Sequence, residues 1–200
     1  MAEHPAAVVV IEACGSAHYS AREMAKCGHE VKLIAPQYVR PFVKRQKNDA
    51  ADAEAIVIAV QRPKMRFVAP KTEAQQARAL LFRSRDRLVK QRTELVNALR
   101  SQLYEFGHTT PQGIGNLRHI EAIIDGATCD LPALVREECH DLLKQIAERT
   151  RRIEAKTKQM GALSTHSETT LRLQTMPSIV PISALAVEAF APPIESFRCG

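Results

Sequence analysis

The sequence predicts an α/β domain that is followed by a long antiparallel α-helical coiled coil and by the start of a small helical C-terminal domain. Three observations carry this prediction: a strand–helix–strand pattern near the N-terminus, a heptad-like leucine stripe that begins after Thr72, and a short apolar segment after residue 164. The predicted domains are residues 1–70, 71–163 and 164–200.

The first domain opens with a pattern that is typical of a parallel sheet. The stretch "AAVVVIEAC" is β-branched and almost continuously apolar, which predicts a strand covered on both faces. "GSAHYSAREMAKCG" predicts a helix that stops at Gly28, and "HEVKLIAP" predicts a second strand that ends at Pro36. A strand, a helix and a strand form a βαβ unit. "NDAADAEAIVIAVQR" predicts the next helix, which Pro63 closes.

Two long amphipathic segments predict the coiled coil. The first carries an apolar stripe at Leu81, Leu88, Leu95, Leu99, Leu103 and Phe106. The second runs from about Leu131 to Leu163 and has its stripe at Val135, Cys139, Leu142, Ile146, Ile153 and Met160. The connection "GHTTPQGIGN" contains three glycines and a proline, so the two helices are predicted to pack as an antiparallel hairpin.

Composition excludes several classes of protein. Hydrophobic residues make up 45% of the chain and charged residues 25%, as in a globular protein. No apolar run approaches the ~18 to 20 residues of a membrane span, and no basic segment precedes the first strand, so we expect neither a membrane partner nor a signal peptide. The cysteines (Cys14, Cys27, Cys129, Cys139 and Cys199) form no CxxC pair, which indicates reduced thiols and a cytoplasmic location.

The excess of positive over negative charge comes from one segment. The net charge is +6, and residues 61–107 contain 11 Lys and Arg against 4 Asp and Glu, a segment charge of +7. Localised positive charge favours a polyanionic partner, because cations on phosphates release counterions. A solvated helix face would give the same count, and the charge alone does not separate the two readings.

Three carboxylates are candidates for metal ligands. Glu12 ends the first strand, where open parallel sheets place catalytic groups, although, taken alone, a solvated strand tip or a pairing with a nearby Lys explains it better. Asp49 and Asp52 share one helix face, where two carboxylates suit Mg²⁺ or Mn²⁺. The same spacing fits an N-cap at Asp49 with Asp52 and Glu54 as first-turn acids. Spacing alone favours the cap.

The sequence motifs around these residues favour the interpretation as metal ligands over the helix cap alone. "EACGSAH", "LIAPQYVRPFVK" and above all "KNDAADAEAI" closely resemble the DEDD-type insertion-sequence transposases, the group that includes the Piv-like DNA invertases. "RFVAPKTEAQQARALLFRSRDRLVKQRTELVNALRSQLYEFG" and "LQTMPSIVPISALAVEAF" extend the resemblance along essentially the whole chain.

The resemblance implies a RuvC-like (RNase H-like) nuclease domain with four acidic ligands for Mg²⁺ or Mn²⁺, and thus a transposase or DNA recombinase. Glu12, Asp49 and Asp52 match three of those ligands. The partners it implies are the DNA of the element ends and target, a structured guide RNA, and further copies of the chain bound through the coiled coil. The expected nucleic-acid contacts are Lys47, Arg78, Arg83, Arg85, Arg87, Lys90, Arg92 and Arg100.

Departures from the family pattern lead us to expect a partial RuvC-like domain in a chain truncated at both ends, with impaired cleavage. No acid that matches the first ligand precedes Glu12, and Ser178, Ser183 and Ser196 do not match the motif of the family's nucleophilic serine. A turn that is "PGVGP"-like in the family is "PSIVP" here, without its two glycines. The alternative is a non-enzymatic regulator, derived from a transposase, that binds nucleic acid or oligomerises.

Overall fold

The structure is a computed structural model that describes residues 4–44, 48–126 and 130–192. The chain divides into two compact units, one formed by Met1–Ala77 with Phe190–Gly200 and the other by Arg78–Ala189. The strands are β1 (Val8–Glu12), β2 (Glu30–Ile34) and β3 (Phe67–Val68). The helices are α1 (Ala17–Lys26), α2 (Pro36–Val39), α3 (Asp49–Val60), α4 (Glu73–Glu105), α5 (Leu117–Asp125), α6 (Ala133–Ser164), α7 (Glu168–Gln174) and α8 (Pro181–Phe190).

The first unit contains a three-stranded sheet in the order β1–β2–β3. β1 and β2 are parallel, with the register running from Val8 opposite Glu30 to Glu12 opposite Ile34, which confirms the predicted βαβ unit. β3 pairs with β2 in the antiparallel direction and was not predicted. At two residues it is too short to produce an alternating pattern in the sequence.

Helices cover this sheet on both faces, as the apolar run of β1 predicts. On one face, Ala17 and Ala21 of α1 pack in a cluster with Leu33 of β2. On the other face, Ala55 and Ala59 of α3 pack in a cluster with Ile34. These four alanines are almost fully buried. Their short side chains let each helix lie close to the strands.

The second unit is built on α4 and α6, which together form the helical hairpin. The polar side-chain contacts between them include Arg85 Nε with Thr157 Oγ1 at 2.9 Å, Arg92 with Thr150 Oγ1 at 3.5 Å, and Cys139 Sγ with Gln102 Oε1 at 3.7 Å. Residue numbers increase along α4 in these pairs, whereas the numbers of their partners on α6 decrease. The two helices are therefore antiparallel. The residues of the hairpin with little or no exposure include Leu88, Val96, Leu99, Leu103, Cys139, Ile146, Ile153 and Met160.

The seam of α6 follows the predicted spacing. Cys139, Ile146, Ile153 and Met160 recur at intervals of seven residues and are each 5% exposed or less. A seven-residue interval returns to nearly the same helix face after two turns, so one line of side chains enters the interface. The supercoil of a true coiled coil remains a prediction, as does the RuvC-like classification of the sheet domain.

Two details of the hairpin differ from the predictions. Phe106 lies beyond the end of α4 and is 42% exposed, so it does not continue the apolar stripe. The connection between the long helices contains α5, and its Ile120 and Ile124 are fully buried in the same core cluster as Leu99. The glycines and the proline that precede α5 obscured its short apolar pattern in the sequence.

Capping explains where α4 begins. Thr72 Oγ1 accepts a hydrogen bond from the backbone N–H of Gln75 at 3.1 Å, and the Gln75 side chain accepts one from the Thr72 N–H at 3.0 Å. This reciprocal pair is a capping box, which satisfies two N–H groups that have no partner inside the helix.

The small helical element at the end of the second unit contains a strained turn. α7 ends at Gln174 and α8 begins at Pro181, and Ser178 between them has a φ angle of +69°. A positive φ is unfavourable for a residue with a Cβ atom and is easily adopted by glycine. Ser178 stands where the resemblance described above implies the first glycine of a "PGVGP"-like turn.

None of the described helices combines the length and the apolar character that crossing a membrane requires.

We predict that Ile146→Ala lowers the free energy of unfolding by about 2 to 5 kcal/mol, because it leaves a cavity in the seam. Leu134→Ala, at a position on the same helix that is 69% exposed, should change it by less than about 0.5 kcal/mol. Urea denaturation followed by circular dichroism measures both values. Equal losses in the two variants would show that Ile146 is not in the interface.

We predict that Ser178→Gly raises the free energy of unfolding by up to about 1 kcal/mol, since glycine removes the strain of a positive φ. Ser183→Gly, at an exposed position inside α8, should lower it by about 0.5 kcal/mol through lost helix propensity. Thermal denaturation of the two variants checks the opposite signs. A loss of stability in Ser178→Gly contradicts the assigned backbone conformation.

Candidate nucleic-acid interface and acidic residues

The N-terminus of α3 is capped by Asn48. Its side-chain Oδ1 accepts a hydrogen bond from the Ala51 N–H at 2.8 Å, and its carbonyl oxygen accepts one from the Asp52 N–H at 3.0 Å. The interpretation of Asp49 as the cap is therefore wrong by one residue. Asn and Asp cap helices about equally well, so the sequence "ND" did not distinguish between them.

Asp49 and Asp52 lie in the first turn of α3, as predicted. Asp49 is exposed and Asp52 is half-buried. Asp52 precedes the buried Ala55 by three residues and the buried Ala59 by seven, so it lies on the stripe of α3 that packs on the sheet. Both carboxylates sit where the helix dipole favours negative charge, and neither provides the cap.

Glu12 is the last residue of β1 and is half-buried, as its position in the sequence predicts. Side chains alternate between the faces of a strand, and Val10, two residues earlier, packs against the α3 cluster. Glu12 therefore shares with Val10 the sheet face that α3 covers. The chain leaves the strand immediately afterwards, where the Ala13 N–H donates to the Ile34 carbonyl at 2.7 Å.

These three carboxylates do not form a metal centre in the structure. Across residues 4–44, 48–126 and 130–192, no group of three or more His, Cys, Asp or Glu side chains is placed to hold a metal ion. Carboxylate oxygens have the right chemistry for Mg²⁺ or Mn²⁺, and Asp49 and Asp52 share the first turn of one helix, but Glu12 does not complete a three-ligand group with them. Nearby Glu54 binds Lys44 through both carboxylate oxygens, at 2.7 and 2.8 Å, and is not part of the set.

Three of the arginines predicted to contact nucleic acid have partners inside the second unit. Arg78 forms an ion pair with Glu188 at 3.0 Å. Arg85 and Arg92 hydrogen-bond to α6 through Thr157 and Thr150. Each of the three is half-buried, so part of the positive charge on α4 helps to join the helices. Sequence reasoning missed this role, because an arginine next to an apolar stripe also fits a solvated face.

The exposed cations on α4 are Arg83, Arg87 and Lys90, which we call the basic face. Lys90 pairs with Asp86 at 2.8 Å, and the hydrogen bond and charge of that carboxylate raise the pKa of Lys90 above its ordinary value. Arg83 and Arg87 make no ion pair with any other described residue. Their guanidinium groups are accessible to an anion from solvent.

Arg100 lies near the C-terminal end of α4 and is held by the connection. Its guanidinium donates hydrogen bonds to the Tyr104 hydroxyl and, at 3.1 Å, to the Thr110 carbonyl. Tyr104 also donates to that carbonyl at 3.1 Å, and its ring lies under the guanidinium at 5.4 Å. Lys47, the last of the predicted contacts, lies outside the described residues.

A cavity of about 470 Å³ opens between α4 and the connection that follows it. Its lining includes Arg92, Val96, Asn97, Arg100, Gln112 and Ile114. It therefore combines two guanidinium groups, two amides and two aliphatic side chains. This cavity could not be predicted from the sequence, because residues 112–114 belong to the irregular connection.

Within residues 4–44, 48–126 and 130–192, neither Ser178 nor Ser183 contacts a side chain that would activate a nucleophile. Ser178 lies in the strained turn, and Ser183 is exposed on α8. Ser196 lies outside the described residues.

Comparisons with known proteins identify the family to which this chain is similar. The family model of the IS110-type DEDD proteins, described as a transposase, matches residues 1–107. The transposase for insertion sequence element IS1328 of Yersinia enterocolitica is 41% identical over 186 residues, which cover 92% of this chain and 54% of that protein. The transposase for insertion sequence element IS1111A of Coxiella burnetii is 35% identical over 191 residues, which cover 95% and 52%. No solved structure matches this chain.

This chain spans about half the length of these relatives. The family model covers more than half of the chain, including Glu12, Asp49, Asp52 and the whole basic face. The chain belongs to the DEDD family of insertion-sequence transposases.

Proposed function

We propose that this chain serves DNA transposition by binding nucleic acid of its insertion sequence through the basic face of α4. The observation that carries the proposal is the exposure of Arg83, Arg87 and Lys90 in a member of the transposase family. The expected partner is the DNA of the element ends and target, with a structured guide RNA as a further partner. Phosphate contacts of this kind position a nucleic acid without reading its sequence.

The enzymatic activity we propose is that of a transposase, namely DNA strand cleavage and recombination. Glu12, Asp49 and Asp52 are the proposed acidic residues, and Mg²⁺ or Mn²⁺ is the proposed cofactor. A bound divalent ion would polarise a phosphate and activate a nucleophile. In the described chain, Asp49 and Asp52 share a helix turn, and Glu12 shares the sheet face beneath α3. Because they do not form a three-ligand group, we expect this chain alone to cleave DNA weakly.

The alternative is a non-enzymatic regulator that binds nucleic acid or pairs with further copies of the chain through the helical hairpin. One observation favours it: the basic face belongs to the second unit, whereas the acidic residues belong to the first. If binding survives the loss of both aspartates, the two activities are separable, and a binding role does not need the acidic residues.

We predict that Arg83→Gln, Arg87→Gln and Lys90→Gln together weaken binding to element-end DNA by at least about tenfold. The slope of log affinity against log salt concentration should fall by about 2 to 3, since each lost phosphate contact removes about 0.9. Fluorescence anisotropy over a salt series measures both quantities.

The matched control replaces Lys144, Arg151 and Lys158, three exposed cations on α6, with glutamine. It removes the same total charge from the same hairpin. An equal loss of affinity and slope in this control would mean that net charge, and not the basic face, determines binding.

We predict that Mg²⁺ binds Asp49 and Asp52 and thereby stabilises the folded chain. The gain should be about 1 to 3 kcal/mol when Mg²⁺ exceeds its dissociation constant by tenfold to a hundredfold. Asp49→Asn with Asp52→Asn should remove the Mg²⁺ response, whereas Glu54→Gln on the same helix should keep it. Thermal denaturation with and without Mg²⁺ gives the answer. An unchanged response in the double variant would leave the two aspartates as first-turn acids only.

A further inference from the structure

We propose that the cavity between α4 and residues 112–114 receives one unpaired nucleotide from the nucleic acid bound on the basic face. The inference rests on the proposed binding function and adds to it the kind of structure that is recognised. We assign the phosphate to the guanidinium groups of Arg92 and Arg100, and the base to the aliphatic and amide side chains beside them.

The charge of the cavity fits an anion. Arg92 and Arg100 both line it, and no carboxylate is among the residues that do so. In the described part of the chain, neither arginine forms an ion pair, and the hydrogen bonds that their guanidinium groups donate go to uncharged oxygens of Thr150, Tyr104 and Thr110. Two guanidinium groups with unused donors form strong hydrogen bonds to phosphate oxygens.

The arginines are positioned before any ligand arrives. Tyr104 and the Thr110 carbonyl hold the guanidinium of Arg100, and Thr150 contacts that of Arg92 at 3.5 Å. A side chain that is already ordered loses less conformational entropy on binding than a free one, so the same contacts contribute more affinity.

The rest of the lining fits a nucleobase better than a bare phosphate. Val96 is buried and Ile114 is partly exposed, so they present aliphatic surface. Asn97 and Gln112 are exposed at the rim and carry amide donors and acceptors that can bond to base edges. Bases of unpaired nucleotides are recognised in this way, and they also stack on arginine planes.

The cavity can receive a single nucleotide, but not a base that is paired within a duplex. A cavity of about 470 Å³ is within the range of sites for a single small ligand. A base inside a duplex is stacked and paired, so only a bulged, flipped or single-stranded nucleotide could enter. The feature recognised is thus a local irregularity in the nucleic acid.

The spacing of residues along α4 connects the cavity to the basic face. Arg83, Lys90 and Asn97 follow one another at intervals of seven residues, which is two helical turns. Arg83 and Lys90 are exposed, and Asn97 lies at the rim of the cavity. A backbone that runs along the two cations would reach the cavity without crossing the buried seam.

The test compares three probes of one sequence: a perfect duplex, the same duplex with a single-nucleotide bulge, and the single strand. Each is prepared as DNA and as RNA and is titrated into the 200-residue chain. We expect the bulged duplex to bind about tenfold more tightly than the perfect one, and the better of the DNA and RNA versions identifies the source of the nucleotide.

Two variants test the site itself. Ile114→Trp fills the cavity, and Asn97→Ala removes a rim amide; both side chains are at the surface, and circular dichroism checks that the helices are retained. Each should abolish the preference for the bulge and change the affinity for the perfect duplex by less than about twofold. The triple glutamine variant of the basic face should weaken all probes and keep the preference.

A thio-substituted base placed in the bulge gives a direct readout, since on irradiation it should crosslink to the peptide that contains Ile114. Equal affinity of the wild-type chain for bulged and perfect probes would overturn this inference and leave the basic face intact. Retention of the preference in Ile114→Trp would also overturn it. If no probe binds in a salt-dependent manner, the proposed function itself fails, and the inference fails with it.

Discussion

The packing of α4 against α6 decides which cations of α4 face solvent. A free 33-residue helix with this many cations would have no reason to present one face in preference to another. Packing of Leu88, Val96, Leu99 and Leu103 in the core fixes the rotation of α4 about its own axis. That rotation decides which cations reach solvent, which reach α6, and which line the cavity.

Apart from Arg78, which forms an ion pair with Glu188, the arginines of α4 fall into three groups that have different physical consequences. Arg85 and Arg92 approach the hydroxyls of Thr157 and Thr150 on α6 and help to set the register of the two helices. Arg83 and Arg87 are exposed to solvent, so salt screens the electrostatic interaction of their charges with distant groups. Arg100 and Tyr104 both donate hydrogen bonds to the Thr110 carbonyl, which holds the connection against the end of α4. The net charge of +7 for residues 61–107 does not distinguish these groups.

Periodic elements of this fold could be predicted from the sequence. The βαβ unit, the seven-residue seam of α6 and the position of Glu12 at a strand end all follow from regular patterns of apolar residues. β3 and α5 could not be predicted, because one is two residues long and the other follows a glycine-rich stretch. The exposure of Phe106 was missed because its spacing suggested that the helix continues one residue farther than it does.

Site prediction depended on motifs more than on pattern. The phrase "KNDAADAEAI" pointed to the transposase family, which the comparisons confirm. Pattern alone could not show which arginines have partners, since that depends on residues about 60 to 110 positions away in the chain. It could not reveal the cavity either, because its walls come from a helix and an irregular loop.

The identity of the cap on α3 has a consequence for the two aspartates beside it. Asn48 is a neutral amide, so the hydrogen bond that starts the helix does not depend on any charge. Had Asp49 been the cap, one carboxylate would have had to serve the backbone and a bound cation at once. With the cap supplied by its neighbour, the first turn keeps its shape whether the aspartates carry a proton, a cation or neither.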